Sequence, residues 1–342
     1  MTLAQPHRTP RDTLNRPMHD LRISVTDRCN LRCTYCMPEE HFSKKYEFLQ
    51  RSDLLCFEEI AIVARAAAAL GVKKLRITGG EPLLRRDLPV LVGMLRAIPG
   101  IEDIALTTNG LLLPQLAQPL RDAGVDRITV SLDSLDDATL ARISGRPITS
   151  AQVLSGIDAA RDAGFTQLKV NAVIQRGVND DQVLPLVEHF RGTGVILRFI
   201  EFMDVGTLNH WNLATVVPAA EMRDAIAAHH PLEAAAPNYV GEVAARYRYT
   251  DGQGEIGFIT SVSQPFCRDC TRLRLAPDGD LYTCLFAGHG HPLKPMLRAG
   301  ATLEEITEHL RNLWTRRSDR YSEIRTEATA RSEKVEMYHI GG

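Results

Sequence analysis

The chain has 342 residues, 44% of them hydrophobic and 24% charged, with a formal net charge of -2 at pH 7. Its length allows one large core, or a large and a small unit. The near-neutral balance excludes a global basic field for nucleic acid, so any phosphate binding must be local.

The first twenty residues hold Pro6, Pro10 and Pro17 without an apolar run, and read as a flexible leader, not a secretion signal. The most apolar helical stretch, Ile60 to Val72, is broken by Arg65 and too short for a bilayer, so no membrane role and a cytoplasmic location are expected. Seven cysteines are present, six of them in two triplets and Cys56 alone. That pattern suits metal ligation in a reducing compartment better than a disulfide framework. Cys56, in Leu54-Leu55-Cys56-Phe57, is expected to be a core residue.

In chain order, Leu21 to Val25 predicts a strand ahead of the first cysteines, and Glu58 to Leu70 a helix closed by Gly71. A strand over Lys74 to Thr78 leads into Gly79-Gly80-Glu81-Pro82, and Arg86 to Ile98 reads as a helix. The unit then repeats through strand Ile104 to Thr107, helix Pro114 to Ala123 and strand Arg127 to Leu132. Helix Ala151 to Ala163, strand Gln167 to Ile174, helix Gln182 to Phe190 and strand Val195 to Phe202 complete six units. Strands alternating with helical crossovers imply a parallel sheet, and crossover handedness favours a barrel; six units are too few to close it.

The pattern changes around Asn209 to Pro218, so a first unit of 1–218 and a second of 219–342 are expected. After a helix from Glu221 to His229 come short β-like runs at Ala245 to Tyr249, Ile256 to Ser261 and Leu273 to Ala276, with hairpin turns at Asp251-Gly252 and Asp278-Gly279. A last helix, Leu303 to Arg316, precedes a polar tail ending in Gly341-Gly342. The fold expected is α/β: a partial, open, six-unit TIM-like (β/α) barrel with a smaller β-containing C-terminal part closing the open side.

Cys29, Cys33 and Cys36 sit on a loop just past the first strand. A [4Fe-4S] cluster takes four cysteines when fully ligated, so three leave one iron open to a small molecule. The alternative is a zinc site completed by His41. Four strands carry a cation between apolar neighbours: Arg22, Arg76, Lys169 and Arg198. If these alternate positions face the barrel axis, the cations converge and call for a polyanion. Ser24, Thr78, Thr107, Ser131 and Asn171 share that phase, and Gly79-Gly80 lets backbone amides approach an anion. The second triplet, Cys267, Cys270 and Cys284, could hold a cluster, or zinc with His289 or His291; Arg272 and Arg274 place two more cations beside it.

C-x3-C-x2-C with Tyr35 before its last cysteine resembles the radical S-adenosylmethionine (SAM) signature, and Thr78-Gly-Gly-Glu-Pro82 resembles that superfamily's SAM-binding motif. Asp27 to Pro38, Arg76 to Leu84, Thr107 to Gly110, Arg198 to Met203, Phe266 to Arg274 and the terminal Gly341-Gly342 are together similar to the GTP 3',8-cyclases that begin molybdenum cofactor biosynthesis. The likeness runs from Arg16 onward with no departure from the family pattern.

The resemblance implies two [4Fe-4S] clusters, one on Cys29, Cys33 and Cys36 and an auxiliary one on Cys267, Cys270 and Cys284. It assigns Tyr35, Gly80, Ser131 and Met203 to SAM, and Arg22, Arg76, Thr107, Lys169, Arg272 and Arg274 to GTP, with Arg198 lining the site. Gly341 and Gly342 would reach into the active site and help initiate the reaction. The implied activity uses a 5'-deoxyadenosyl radical to take the C3' hydrogen of GTP, giving 3',8-cyclo-7,8-dihydro-GTP. Implied partners are a low-potential donor such as flavodoxin or ferredoxin, the enzyme that carries the product to cyclic pyranopterin monophosphate, and a second copy in a homodimer. A radical SAM enzyme of another specificity and a zinc-stabilised binding module remain the rivals.

Overall fold

Strands of five to seven residues alternate in burial because one face meets helices and the other a cavity, and this pattern builds the centre of the molecule. The computed structural model describes residues 9–43, 45–239, 241–326 and 332–342. β1 (Asp20–Ser24) is followed by α1 (Phe57–Ala69), then by β2 (Lys74–Thr78) and α2 (Leu88–Arg96). Next come β3 (Asp103–Thr108), α3 (Leu113–Ala123), β4 (Arg127–Ser131), α4 (Asp137–Ser144) and α5 (Ser150–Asp162). β5 (Leu168–Ile174), α6 (Val183–Phe190) and β6 (Ile196–Glu201) end the repeated series, and α7 (Ala219–Ala227) follows. In β1 and β2, Leu21, Ile23, Leu75 and Ile77 are wholly buried against the helices, while Arg22 and Arg76 point to the other face.

Local signals account for the helix ends. In α1 the buried face is Ile60, Ala61, Val63, Ala64, Ala66 and Ala67, and Gly71 ends the turn at φ +101. Cys56 is not a core residue: it is exposed, and its sulfur caps α1 by accepting from the Glu59 N–H while Glu59 returns the bond. α4 was not among the expected elements; Asp136 caps it and Gly145 closes it, but only Leu140, Ile143 and Ser144 are buried, too few to show a period. α2 starts later than its apolar run suggests, because a 3₁₀ turn over Pro82–Leu84 and a left-handed Asp87 intervene.

The C-terminal part supplies β7 (Leu232–Ala235), β8 (Ala245–Tyr249), β9 (Glu255–Ile259), β10 (Arg272–Leu275), β11 (Asp280–Tyr282) and β12 (His291–Pro292). Their order is β12-β11-β10-β1-β2-β3-β4-β5-β6-β9-β8-β7 in one open sheet. The six expected units lie in sequence order, and β10 pairs parallel with β1 while β9 pairs parallel with β6. The C-terminal part thus extends the open barrel at both edges, adding one parallel strand and then antiparallel strands on each side. Both expected hairpins form, with Gly252 and Gly279 at positive φ.

α8 (Lys294–Arg298), α9 (Leu303–Thr315) and a short α10 (Met337–Ile340) complete the chain. α9 packs on α1, and its fully buried Trp314 donates Nε1–H to the Arg16 carbonyl at 3.0 Å. The expected flexible leader is therefore corrected from Thr9 onward, because Asp12, Arg16 and Met18 are buried and Thr13 bonds Arg317. The rest of that leader, 1–8, lies outside the described residues.

Candidate active site

The cavity-facing phase of the parallel strands is a row of cations. Arg274, Arg22, Arg76, Ala105 and Arg127 occupy matched register positions on β10, β1, β2, β3 and β4. All but Ala105 line one cavity of about 340 Å³, together with Lys74, Lys169, Arg198 and Arg272. Neutral partners hold three of them: Arg76 donates to Thr107 Oγ1 at 2.8 Å, Arg198 to Asn171 Oδ1 at 2.9 Å and Lys74 to Tyr239 OH at 2.5 Å, whereas Arg127 is paired with Asp103 through Nε at 2.8 Å. Asp20 lies 3.7 Å from Lys74.

Burial and then mutual repulsion depress Arg22, Arg76, Lys169, Arg198 and Arg274, whereas for Arg272 burial is outweighed by Cys270, which raises it. The Arg22 guanidinium is pushed well down by burial and by Arg274, Arg272 and Arg76, and Arg198 and Arg274 fall to about 9. Lys169 falls to about 7 through burial, Arg198, Arg127 and Arg76, and Lys74 to about 8 mainly through burial. Among the described residues, Arg272 Nε is buried without a partner. So many cations facing one space favour a polyanion of triphosphate character.

The two cysteine triplets lie at opposite ends of the strands that carry this row. Cys29, Cys33 and Cys36 follow the carboxyl end of β1, whereas Cys267 and Cys270 precede the amino end of β10, its parallel neighbour in register. Antiparallel β11 returns Cys284 to the Cys270 end. About 3.3 Å per residue over a five-residue strand separates the ends by on the order of 15 Å.

At the first end, Arg32 gives its N–H groups to the carbonyls of Phe42, Cys29 and Leu31 at 2.7–2.9 Å, shaping the loop. Tyr35 OH donates to Asp133 at 2.8 Å, and Asn109 Nδ2 to Asn30 Oδ1 at 2.7 Å. Glu81 accepts from Thr108 Oγ1 and the N–H groups of Asn109 and Leu83; burial still lifts it to about 7. Burial lifts the Cys29 thiol to about 11 and those of Cys33 and Cys36 higher still, with neighbouring negative groups adding to it. A Cβ at Gly79 would lie 2.7 Å from the Thr26 carbonyl and one at Gly80 would overlap the Arg28 carbonyl, so both must be glycine. The Gly80 N–H donates to Thr26 O at 2.7 Å, which leaves the Gly79 amide as the one of the pair to approach an anion.

The second end is cationic. Arg272 Nη2 and Arg317 Nη2 donate to Cys270 Sγ at 3.3 and 3.2 Å, and Arg16 Nη1 donates to the Cys267 carbonyl at 2.7 Å. Among the described residues, Arg16 Nη2 is buried without a partner. Burial pushes the Cys270 thiol up, but Arg272 and Arg317 outweigh it and hold the group at about 6; Cys284, lacking such contacts, is raised to about 11.

The tail is not frayed. Arg274 Nη1 donates to the Gly341 carbonyl, Gly341 has φ +71, and its Cβ position would overlap Thr78 Cγ2. Gly342 lines the cavity, which also contains every other expected cysteine ligand and SAM or GTP contact: Tyr35, Gly80, Ser131, Met203, Thr107 and the cations above. Tyr338 anchors the tail through Tyr46 OH at 2.7 Å and the Phe42 ring at 4.9 Å.

Neither zinc alternative has its donors together. Four ligands around zinc at about 2.3 Å per sulfur would bring sulfurs within roughly 3.8 Å of one another. Among the described residues, the only group of three His, Cys, Asp or Glu donors within 4.8 Å is Glu40, His41 and His210, all exposed. Neither half-buried triplet closes to that spacing among the described residues, and each offers three sulfurs that could hold a cluster. Residues not foreseen are Lys74, Arg127, Asp20, Tyr239, Asp133, Arg16 and Arg317. Alternation could have found Asp20, two residues before Arg22, Lys74, two before Arg76, and Arg127, two before Thr129; the rest come from loops or distant segments.

The model of the Radical SAM superfamily matches residues 23–190, and that described as Molybdenum Cofactor Synthesis C matches 195–323. The GTP 3',8-cyclase of Acidothermus cellulolyticus is 53% identical, covering 97% of this chain and 99% of that protein. Those of Xanthomonas axonopodis pv. citri and Staphylococcus aureus are 55% and 51% identical, each over 97% of this chain and 98% of the relative. The crystal structure of Streptococcus suis SuiB bound to S-adenosylmethionine superposes with a TM-score of 0.61 at 16% identity, over 88% of this chain and 66% of SuiB, a likeness of fold. The open parallel barrel, the cysteine loop past its first strand and identity above one half over nearly the whole length agree: the chain belongs to the GTP 3',8-cyclase family of radical SAM enzymes.

Proposed function

We propose that this enzyme converts GTP to 3',8-cyclo-7,8-dihydro-GTP, the opening reaction of molybdenum cofactor biosynthesis. The observation that carries the reading is one cation-lined cavity with a cysteine triplet at each end. Cys29, Cys33 and Cys36 would hold the SAM cluster, and Cys267, Cys270 and Cys284 a second [4Fe-4S] cluster. Reduced by one electron from an external donor and bound to SAM, the first would supply a 5'-deoxyadenosyl radical, with methionine released, able to take the C3' hydrogen of GTP.

The chain itself binds, orients and excludes water. Arg22, Arg76, Lys169, Arg272 and Arg274 neutralise the triphosphate, Thr107 adds a hydroxyl, and Arg198 lines the wall. Tyr35, Gly80, Ser131 and Met203 line the cavity wall around SAM. Gly341 and Gly342 reach the reacting end with no side chain to occupy it. Several anchors are needed because misplacing the ribose by about 1 Å can cost on the order of a hundredfold in rate. Units 1–218 and 219–342, a homodimer, a cytoplasmic location, a flavodoxin or ferredoxin donor and a downstream partner that makes cyclic pyranopterin monophosphate belong to the same reading. No helix among the described residues is long and apolar enough to cross a membrane.

The test is anaerobic reconstitution with iron and sulfide, followed by SAM, dithionite and GTP. About eight irons per chain, GTP-dependent 5'-deoxyadenosine and a cyclised nucleotide are expected. SAM cleavage indifferent to GTP, or tightly held zinc without iron, would overturn the proposal.

A further inference from the structure

Arg317, just beyond α9, has a side chain 1% exposed. Its Nη2 donates to Cys270 Sγ at 3.2 Å, its Nη1 to the Cys270 carbonyl at 2.7 Å and its Nε to the Thr283 carbonyl at 3.1 Å, next to Cys284. Buried Asp12 fixes it at 3.3 Å and also holds Arg16 at 2.6 Å. The guanidinium carbon lies 4.6 Å over the Trp314 ring. Asp12 therefore orients two guanidiniums, which between them touch both cysteines of the 267–270 pair, Asp319 Oδ2 accepts from Arg317 Nε at 3.4 Å, and Arg272 adds a second N–H to the Cys270 sulfur.

The first end lacks this arrangement. Arg32, the nearest guanidinium in the loop, spends its N–H groups on carbonyl oxygens, and the charged groups packed around Cys29, Cys33 and Cys36 include Glu81, Asp133 and Glu336. N–H donors and positive charge near cluster sulfur favour the more negative, reduced state; carboxylates oppose it.

We infer that Arg317 is a positioning residue for the cluster on Cys267, Cys270 and Cys284, and that its guanidinium makes this the more easily reduced of the two clusters. The inference rests on the two-cluster reading above. A bracing role alone would affect folding or iron content but would leave the potential of a loaded cluster where it was.

The experiment is a redox titration of the reconstituted full chain followed by electron paramagnetic resonance, with iron counted. The chain with Cys267, Cys270 and Cys284 all changed to Ala identifies the first cluster's signal. The second cluster should reduce at the higher potential. Arg317→Gln should shift its reduction equilibrium toward the oxidised form at least tenfold, 59 mV for a one-electron couple, leaving the first cluster in place, and Arg317→Lys should recover part of the shift. Equal or reversed potentials in the unaltered chain, a shift shared by both clusters, or loss of four irons from Arg317→Lys would overturn the inference. If Arg317→Gln fails to fold, Arg317→Lys and the order of potentials in the unaltered chain still decide it. Four irons in the unaltered chain would overturn the two-cluster reading itself, a separate result.

Discussion

The two ends of the cavity use the same ligand type in opposite electrical surroundings. At the carboxyl end of β1, burial and nearby carboxylates raise all three thiols; at the amino end of β10, Arg272 and Arg317 bring Cys270 down to about 6. A thiolate is the ligating form, so Cys270 is ready near neutral pH, while Cys284 at the same end, raised by burial, and the whole first triplet gain their charge only when a metal compensates. The difference teaches that spacing alone describes a cysteine triplet poorly; what surrounds it decides when it binds and what electron affinity results.

The largest effects should come from removing one end at a time. Cys33→Ala is expected to leave about four irons and abolish both SAM cleavage and cyclisation. Cys270→Ala should also leave about four, yet retain dithionite-driven SAM cleavage while losing cyclised product. Iron analysis with chromatography of 5'-deoxyadenosine separates the two. Equal loss of SAM cleavage from both variants would break the division of labour between the ends.

Between the ends lies the tail, and Gly341 tests whether it must reach the cavity. Ala there meets Thr78 Cγ2 and a φ of +71, a conformation costing roughly 1–2 kcal/mol for a residue with a Cβ. Since the tail is held by few contacts, the Arg274 bond to the Gly341 carbonyl and the Tyr338 anchor, the cost should appear as unseating and not as unfolding. Gly341→Ala is expected to lower cyclisation about a hundredfold, on the scale of an ångström of misplacement, with iron content and melting temperature nearly unchanged. Near-normal turnover would remove the tail from the active site.

How much of this was legible follows from how local each signal is. The Leu-Arg-Ile and Leu-Lys-Val triplets carry both the strand period and its inward cation, so Arg22, Arg76, Lys169 and Arg198 could be placed from sequence, as could the cysteine loop and both hairpins. Periodicity gives a residue's face but not its neighbour. Nothing local says that β10 and β9 pair parallel with β1 and β6, or that Arg317 meets Asp12, 305 positions away. Tyr239 reaches Lys74 from 165 positions off for the same reason. Cys56 was misread although its signal was present: Glu59 stands three residues on, the spacing of a capping box.

A smaller effect probes the cations shared by both ends. Lys169, held near 7 against an ordinary 10.5 by burial and three arginines, is largely neutral at pH 8. Its contribution to stability is full above 10.5 and is lost as pH falls toward 7, because the unfolded chain takes up the proton first. A triphosphate reverses the repulsion, so GTP binding at pH 8 should take up on the order of one proton. Calorimetry in buffers of different ionisation enthalpy measures this, and Lys169→Met should remove most of the uptake. Binding without proton uptake would mean that GTP does not reach Lys169.

The seventh cysteine gives the smallest effect and the control for the comparison, since Cys56 belongs to neither end. It is exposed, its sulfur accepts the Glu59 N–H at 3.4 Å, and Glu59 Oε2 accepts the Cys56 N–H at 2.7 Å. That is a helix cap with a weak acceptor, and a serine hydroxyl serves the same geometry better. Cys56→Ser should therefore keep about eight irons and full activity while stabilising the fold by no more than about 1 kcal/mol. Cys56→Ala should cost a similar amount. Thermal melts under nitrogen read both changes. Loss of iron from Cys56→Ser would show that a seventh thiol takes part in ligation, and the division into two triplets would fail.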